Sequence, residues 1–210
     1  MNVKEQKIAD TIAGFMRRLY ERGLTTTSGG NISAKLDQVV LMTPGSTDKA
    51  VMQGCDIGRM SLDGDLLDPG FKPTCEAGMH LAIYRARPDV LAVVHAHPVT
   101  ASAFAAAACP ISSTLLAESY VVLGDIAKVP YHLQGGTALA EAVALAAKRH
   151  NCMLMQNHGA LALGKNLLHA FDRLEVLENA AKTTLICDHL LKAAVAHLTG
   201  AQIEELHCHK

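Results

Sequence analysis

The sequence predicts a single α/β domain in which helices flank a mixed or antiparallel central sheet. Three observations carry this expectation. The chain has 210 residues, the length of one domain, and a chain of that size hides roughly 70% of its unfolded surface without a disulfide or structural metal. Half of its residues are hydrophobic and 19% are charged, the composition of a globule rather than of a disordered segment. Stretches of helical periodicity alternate with short apolar strands joined by turn signals, and no repeat, low-complexity tract or linker divides residues 1–210.

Ile8, Ile12, Phe15, Met16 and Leu19 recur at helical spacing, with Lys4, Glu5, Lys7, Arg17, Arg18 and Arg22 on the other face. They predict an amphipathic first helix closed by Gly23 at its C′ position. Thr25 to Asn31 is small, polar and glycine-rich, hence a loop. Strands are expected at Ile32–Leu36 and Val39–Met42, then a second loop, Thr43-Pro44-Gly45-Ser46-Thr47. Met60 to Leu67 reads as a hairpin with Asp63-Gly64 in its turn. A helix over 75–86 stops at Pro88, Val90–His97 follows as a strand, and the alanine-rich stretch 99–108 forms a helix ended by Cys109-Pro110. Tyr120–Val122 and Ile126–Tyr131 read as strands, 138–149 as a helix after Gly135-Gly136, and Cys152–Met155 and Ala160–Leu163 as buried strands. One long helix is expected from Leu167 to about His197, with Leu168, Phe171, Leu174, Leu177, Ala181 and Leu185 on a single apolar face, read as core.

Composition also excludes functions. Nineteen basic against twenty acidic side chains leave a net charge of −1, so neither nucleic acid nor an anionic membrane gains much from this surface. No apolar run reaches the length of about 18 residues that a membrane span needs, and the N-terminus MNVKEQKIAD is polar where a signal peptide is apolar. A cytoplasmic, soluble protein is expected. There is no tryptophan, and four tyrosines and four phenylalanines are the only aromatics, too few for a base- or sugar-stacking platform. The cysteines at 55, 75, 109, 152, 187 and 208 show no paired spacing and read as reduced thiols. His207-Cys208-His209 reads as a frayed tail rather than a metal site.

The chemistry-bearing residues stand out against this background. On a strand, His95 and His97 of Val93-Val94-His95-Ala96-His97-Pro98 point to one face, a common way to hold two corners of a zinc tetrahedron. Alone, the pair equally describes two half-exposed histidines at a strand end. His158, in Gln156-Asn157-His158-Gly159 after a buried strand, is a third imidazole that a turn beside glycine can aim into a cleft. Three histidines with an open position form a catalytic, Lewis-acidic zinc site. Glu76 follows Lys72-Pro73-Thr74-Cys75 at a helix N-terminus, where it either stabilises the helix electrostatically or serves as a general base near the metal. Ser28-Gly29-Gly30-Asn31 and Thr43-Pro44-Gly45-Ser46 can turn backbone N–H groups and hydroxyls onto a phosphate, although tight turns use the same residues. No nucleotide-binding glycine motif and no G-x-S-x-G nucleophile elbow is present.

In this order (SGGN, MTP, KPTxE, HAHP, NHG) the motifs resemble the class II aldolase/adducin family, from about residue 5 to residue 190. The resemblance implies a three-layer α/β/α fold. It implies one Zn²⁺ per chain on His95, His97 and His158, with Glu76 as acid/base and also in reach of the metal in the resting state. Co²⁺, Mn²⁺ or Fe²⁺ suit the same donors. It assigns the substrate phosphate to Ser28, Gly30, Asn31, Thr43, Ser46, Thr74 and Cys75, and a catalytic role on the aldehyde oxygen to Tyr120. The implied reaction is reversible aldol cleavage of a ketose 1-phosphate to dihydroxyacetone phosphate and a short aldehyde through a zinc-stabilised enediolate. Decarboxylation of 3-oxo-tetronate 4-phosphate on the same metal site is the alternative. Sugar-phosphate 4-epimerases rank behind both because they carry Asp where Glu76 stands, and adducin-type heads lack the metal histidines. The resemblance also implies a homotetramer with the active site between subunits. Three departures affect the sugar end: Thr74-Cys75 replaces a Ser-Ser pair, Gly45-Ser46 replaces Thr-Gly, and the segment between Tyr120 and Tyr131 is shorter than in the aldolases.

Overall fold

Helix α1 (Val3–Glu21) begins with a reciprocal cap: the Asn2 side chain accepts from the Glu5 N–H at 3.0 Å, and the Glu5 carboxylate accepts from the Asn2 N–H at 2.7 Å. Glu5 therefore turns inward instead of facing solvent, and is buried against Arg59 at 3.1 Å. The helix ends in a Schellman motif, as expected of Gly23. That residue sits at φ +66° while its N–H bonds to Tyr20 O and the Leu24 N–H bonds to Leu19 O.

The computed structural model describes residues 1–107, 109–191 and 194–208. Its strands are β1 (Asn31–Leu36), β2 (Val39–Met42), β3 (Gly58–Ser61), β4 (Ala92–Ala96), β5 (Ile126–Val129), β6 (Cys152–Met155) and β7 (Gly159–Gly164). They form one seven-stranded sheet in the order β3-β2-β1-β4-β7-β6-β5. Every pairing is antiparallel except β5 with β6, so the sheet is mixed. The remaining helices are α2 (Ala77–Ala86), α3 (Val99–Ala106), α4 (Ala117–Leu123), α5 (Thr137–Ala147), α6 (Leu167–Thr184) and α7 (Gly200–Cys208). Among the described residues no helix is long and apolar enough to cross a membrane.

Strand alternation divides the interior into two cores. Ile32, Ala34, Ala92, Val94, Ala96, Ala160 and Ala162 pack against α1, α3 and α6. Val40, Met42, Val93, Leu161 and Leu163 pack against α2 and α5. His95 shares the parity of Val93, and Asn31 and Ser33 share that of its cross-strand partners, since Asn31 pairs with His95 and Ser33 with Val93. The polar positions of β1 and β4 therefore face α2.

Several elements depart from the sequence reading. Tyr120–Val122 lies on α4, not on a strand. Its β-branched residues favour a strand only weakly, and the segment instead packs on α6 and turns at Gly124, φ +61°. The expected strand Ile126–Tyr131 ends at Val129, before Pro130. Helix α6 ends at Thr184 and continues as a π-helical turn to Leu191 rather than as one helix to His197. At the changeover the Thr184 hydroxyl donates to Ala180 O and accepts from the Ser112 N–H. Leu168 is exposed, while Phe171, Leu174, Leu177 and Ala181 are core. Helix α7 has no counterpart in the sequence reading; of the alanine-rich stretch, the long-helix span and the tail triplet, residues 108, 192–193 and 209 lie outside the described residues.

Helix α3 starts directly after His97 and has no cap of its own, since Pro98 precedes its first residue. Buried Glu178 of α6 supplies one, accepting the Thr100 N–H at 3.2 Å and the Ala101 N–H at 2.8 Å. Replacing Glu178 with Ala leaves both amides without an acceptor. A loss of about 1–3 kcal/mol is expected, read as a lower urea midpoint at unchanged slope.

Candidate metal centre

His95, His97 and His158 come from three chain positions and converge. The ring nitrogen Nδ1 of fully buried His95 donates to Ala160 O across the β4–β7 ladder at 2.9 Å, which leaves its Nε2 lone pair pointing into the site. His97 follows at the strand end, its backbone N–H on Leu24 O. His158 sits in the β6–β7 turn, where Asn157 adopts φ +54° and the His158 N–H bonds to Met155 O at 3.1 Å. Asparagine is among the residues that tolerate this left-handed conformation. One candidate ligand atom from each ring lies within 4.8 Å of the others, and the Nε2 atoms of His95 and His97 are 3.1 Å apart.

Glycine is required on two sides of this cluster. A Cβ on Gly159 would stand 2.6 Å from His97 Cδ2 and 2.7 Å from Ala96 O. Gly30 adopts φ +67°, and its Cβ would stand 2.8 Å from His95 O. The SGGN loop is thereby drawn against the backs of the histidines.

Glu76 occupies the N-cap position of α2 but makes no cap bond. Its own N–H goes to Thr74 Oγ1 at 3.3 Å, and its carboxylate turns inward. At 1% exposure, its Oε2 accepts from Asn31 Nδ2 at 2.8 Å and lies 3.2 Å from His95 Nε2. Its Oε1 lies 3.2 Å from His158 Nε2. Glu76 thus makes no capping hydrogen bond to α2, and its carboxylate faces the histidines.

Burial lowers the pKa of all three imidazoles, that of His95 furthest. The rings of His97 and His158 depress His95 further, while the Glu76 carboxylate opposes the effect at His97 and His158. All three are neutral near pH 7 and present lone pairs. Glu76 Oε1 and both ring nitrogens of His158 are buried without a hydrogen-bond partner. Orphaned acceptors beside neutral imidazoles are what a divalent cation would satisfy, so the donor set fits a metal.

The remaining predicted residues surround this centre unequally. Asn31 and Thr74 belong to it: Asn31 Nδ2 also donates to Thr74 Oγ1 at 3.1 Å. Buried Thr43 accepts the Ile32 N–H at 3.1 Å. Ser28, Ser46 and Cys75 are exposed. Ser46 adopts φ +52°, left-handed backbone at the position where the family pattern has glycine. Tyr120 stands apart on α4, its hydroxyl 3.1 Å from His207 Nε2 of α7.

Four residues of this region escaped the sequence reading. Lys49 is buried, its ammonium donating to Pro44 O at 3.0 Å and Thr47 Oγ1 at 3.2 Å, and its backbone N–H bonds to Thr27 O. One lysine thus ties the two glycine- and hydroxyl-rich loops together. Ser33, His80 and Tyr84 line up behind Asn31 and Glu76. A signal for them existed in the four-residue spacing of Glu76, His80 and Tyr84, which stacks three polar side chains on one helix face.

His80 is held at about 3, against an ordinary 6.5, chiefly by burial and secondarily by His95. Between those values the unfolded chain binds a proton that the folded chain refuses, so stability is complete above 6.5 and declines as pH falls toward 3. The urea midpoint is expected to drop from about pH 7 to about pH 5, and to drop less in His80→Leu.

The description Class II Aldolase and Adducin N-terminal domain matches residues 10–185. An L-fuculose phosphate aldolase from Methanocaldococcus jannaschii is 36% identical over 170 residues, covering 81% of this chain and 91% of that one. A 3-oxo-tetronate 4-phosphate decarboxylase from Pectobacterium atrosepticum is 32% identical over 207 residues, covering 96% and 93%. Among solved structures, an L-fuculose 1-phosphate aldolase superposes at TM-score 0.85 with 28% identity, over 95% of this chain and 94% of that one. YgbL from Escherichia coli superposes at TM-score 0.87 with 28% identity, over 96% and 98%. The seven-stranded fold and the match across most of its length agree that this chain belongs to the class II aldolase and adducin family.

Proposed function

We propose that this protein is a metal-dependent lyase that reversibly cleaves a ketose 1-phosphate to dihydroxyacetone phosphate and a short aldehyde. The observation that carries the reading is the inward-turned Glu76 carboxylate, buried within 3.2 Å of two imidazoles and holding an unpartnered oxygen. His95, His97 and His158 would hold a divalent metal, Zn²⁺ by the nature of a three-imidazole set, which supplies Lewis acidity to substrate oxygens.

The residues of the chain perform the rest. Asn31 anchors Glu76 Oε2, so Oε1 is the oxygen that carries the proton to and from the substrate carbon. Thr43 and Thr74 accept hydrogen bonds through their oxygens and retain O–H protons for a phosphate. Ser28, Ser46, Cys75 and the Gly30 backbone complete that pocket, with the Lys49 ammonium adding positive charge beneath the loop. Asn31 serves the phosphate indirectly, because its amide nitrogen is committed to Glu76 and Thr74. Tyr120 handles the aldehyde oxygen in a site completed between copies of a cytoplasmic homotetramer.

A second reading, decarboxylation of 3-oxo-tetronate 4-phosphate, is favoured by one observation: the similarity to such a decarboxylase extends over 207 residues, whereas that to the archaeal aldolase covers 170. Loss of CO₂ from that acid leaves the enediolate of dihydroxyacetone phosphate, which Glu76 would protonate at carbon.

Metal content near one per chain, with ketose phosphate formed from dihydroxyacetone phosphate and short aldehydes, is the expected result. Release of CO₂ from 3-oxo-tetronate 4-phosphate without aldol product moves the assignment to the decarboxylase, and absence of both metal and turnover supports an adducin-type association role. Converting both His95 and His97 to Ala is expected to abolish metal binding and activity together. Ser46→Gly relieves left-handed strain of about 1 kcal/mol, so thermal stability is expected to hold or rise while KM for the phosphorylated substrate increases.

A further inference from the structure

We propose that His80 is a positioning residue for Glu76: through a buried relay with Ser33 and Tyr84 it fixes which end of the Asn31 amide meets the carboxylate. The inference rests on Glu76 being the proton carrier of the proposed reaction.

The geometry assigns each proton in turn. A carboxylate only accepts, so the Asn31 atom 2.8 Å from Glu76 Oε2 must be the Nδ2 donor, whose second proton reaches Thr74 Oγ1 at 3.1 Å. Asn31 Oδ1 is then the atom 2.5 Å from His80 Nε2, which makes Nε2 the donor of that pair. Burial keeps the ring neutral, with a pKa of about 3. A neutral ring protonated on Nε2 has a bare Nδ1, so the Ser33 hydroxyl at 2.7 Å donates to it. Ser33 Oγ in turn accepts from the Tyr84 hydroxyl at 2.7 Å. All hydrogen bonds run one way, from Tyr84 toward Glu76.

The alternative arrangement is disfavoured at two places. Flipping Asn31 sets its carbonyl oxygen against the carboxylate, and moving the His80 proton to Nδ1 leaves Asn31 Oδ1 facing a lone pair. Elementary spacing makes the relay fit. Glu76, His80 and Tyr84 rise about 6 Å per step along α2, while Asn31 and Ser33 rise about 6.6 Å along β1. Ser33 and His80 are fully buried and Tyr84 is 1% exposed, so none of the three touches a substrate. Their effect on chemistry passes through the placement of Glu76, where a misplacement of about 1 Å costs on the order of 10²-fold in rate.

The test uses the metal-loaded enzyme and dihydroxyacetone phosphate in D₂O. Glu76 removes a proton from the hydroxymethyl carbon and the solvent returns a deuteron. This exchange is common to the aldolase and decarboxylase readings, because both pass through the same enediolate. His80→Leu, which keeps bulk and removes the donor, is expected to slow exchange by about 10- to 100-fold at unchanged KM and metal content. His80→Gln, which restores an N–H donor, is expected to recover most of the rate. Nitrogen NMR of histidine-labelled wild-type protein is expected to show His80 neutral and protonated on Nε2. If His80→Leu does not fold, Ser33→Ala supplies the same two readouts, with a slower exchange and a reduced Nε2–H signal. A wild-type rate in His80→Leu, a change confined to KM, or an imidazolium or Nδ1–H ring at His80 overturns the relay. Absence of exchange in the wild type counts against the proposed reaction instead, and the His80 tautomer then decides the relay alone.

Discussion

Removing a carboxylate from water costs several kcal/mol unless charge and hydrogen bonds replace its hydration, and this domain takes Glu76 to 1% exposure. Much of the surrounding architecture follows from that burden. Thr74 accepts the Glu76 N–H, Asn31 supplies a donor to one carboxylate oxygen, and the other oxygen is left without a partner beside three neutral imidazoles, a set that a cation would complete. Glu76 and the histidines are thus held as one cluster, whose donor set fits a metal.

The sheet makes this convergence feasible. β4 lies between β1 and β7, and each neighbour carries a part of the site: Asn31 and the SGGN loop at the start of β1, His158 and Gly159 at the start of β7. Close approach at that point leaves no room for a Cβ at Gly159 and requires left-handed backbone at Gly30. Left-handed backbone also occurs at three non-glycine positions, Asp37, Ser46 and Asn157, the last two in loops that border the centre. Left-handed residues at such sites are characteristic of backbone held in place by a functional requirement.

Support also comes from outside the immediate shell. Glu178 of α6 caps the helix that leaves His97, and Lys49 bridges the loops on the opposite side. Burial lowers the Lys49 pKa, and its ammonium donates to two oxygen acceptors, Pro44 O and Thr47 Oγ1.

The sequence alone determined the periodic elements and which three histidines converge on the candidate metal centre. Hydrophobic repeats located α1, short strand-like pieces between loops located β1 and β2, and short apolar runs located the buried β6 and β7, because those signals are local. His95 and His97 were legible because two residues apart on a strand means one face, and His158 because a turn beside glycine can aim its side chain into a cleft. Tertiary structure decided what was not local. Tyr120–Val122 became helical through packing on α6, and the long C-terminal pattern broke at Thr184, where its hydroxyl engages a distant backbone N–H. The Glu76 carboxylate turns toward the histidines and makes no cap bond, a placement that depends on Asn31 forty-five positions away. Ser33, His80, Tyr84 and Lys49 carry little meaning as isolated letters. Their roles are hydrogen bonds whose partners only the fold brings together, and buried polar groups must find such partners wherever the chain places them.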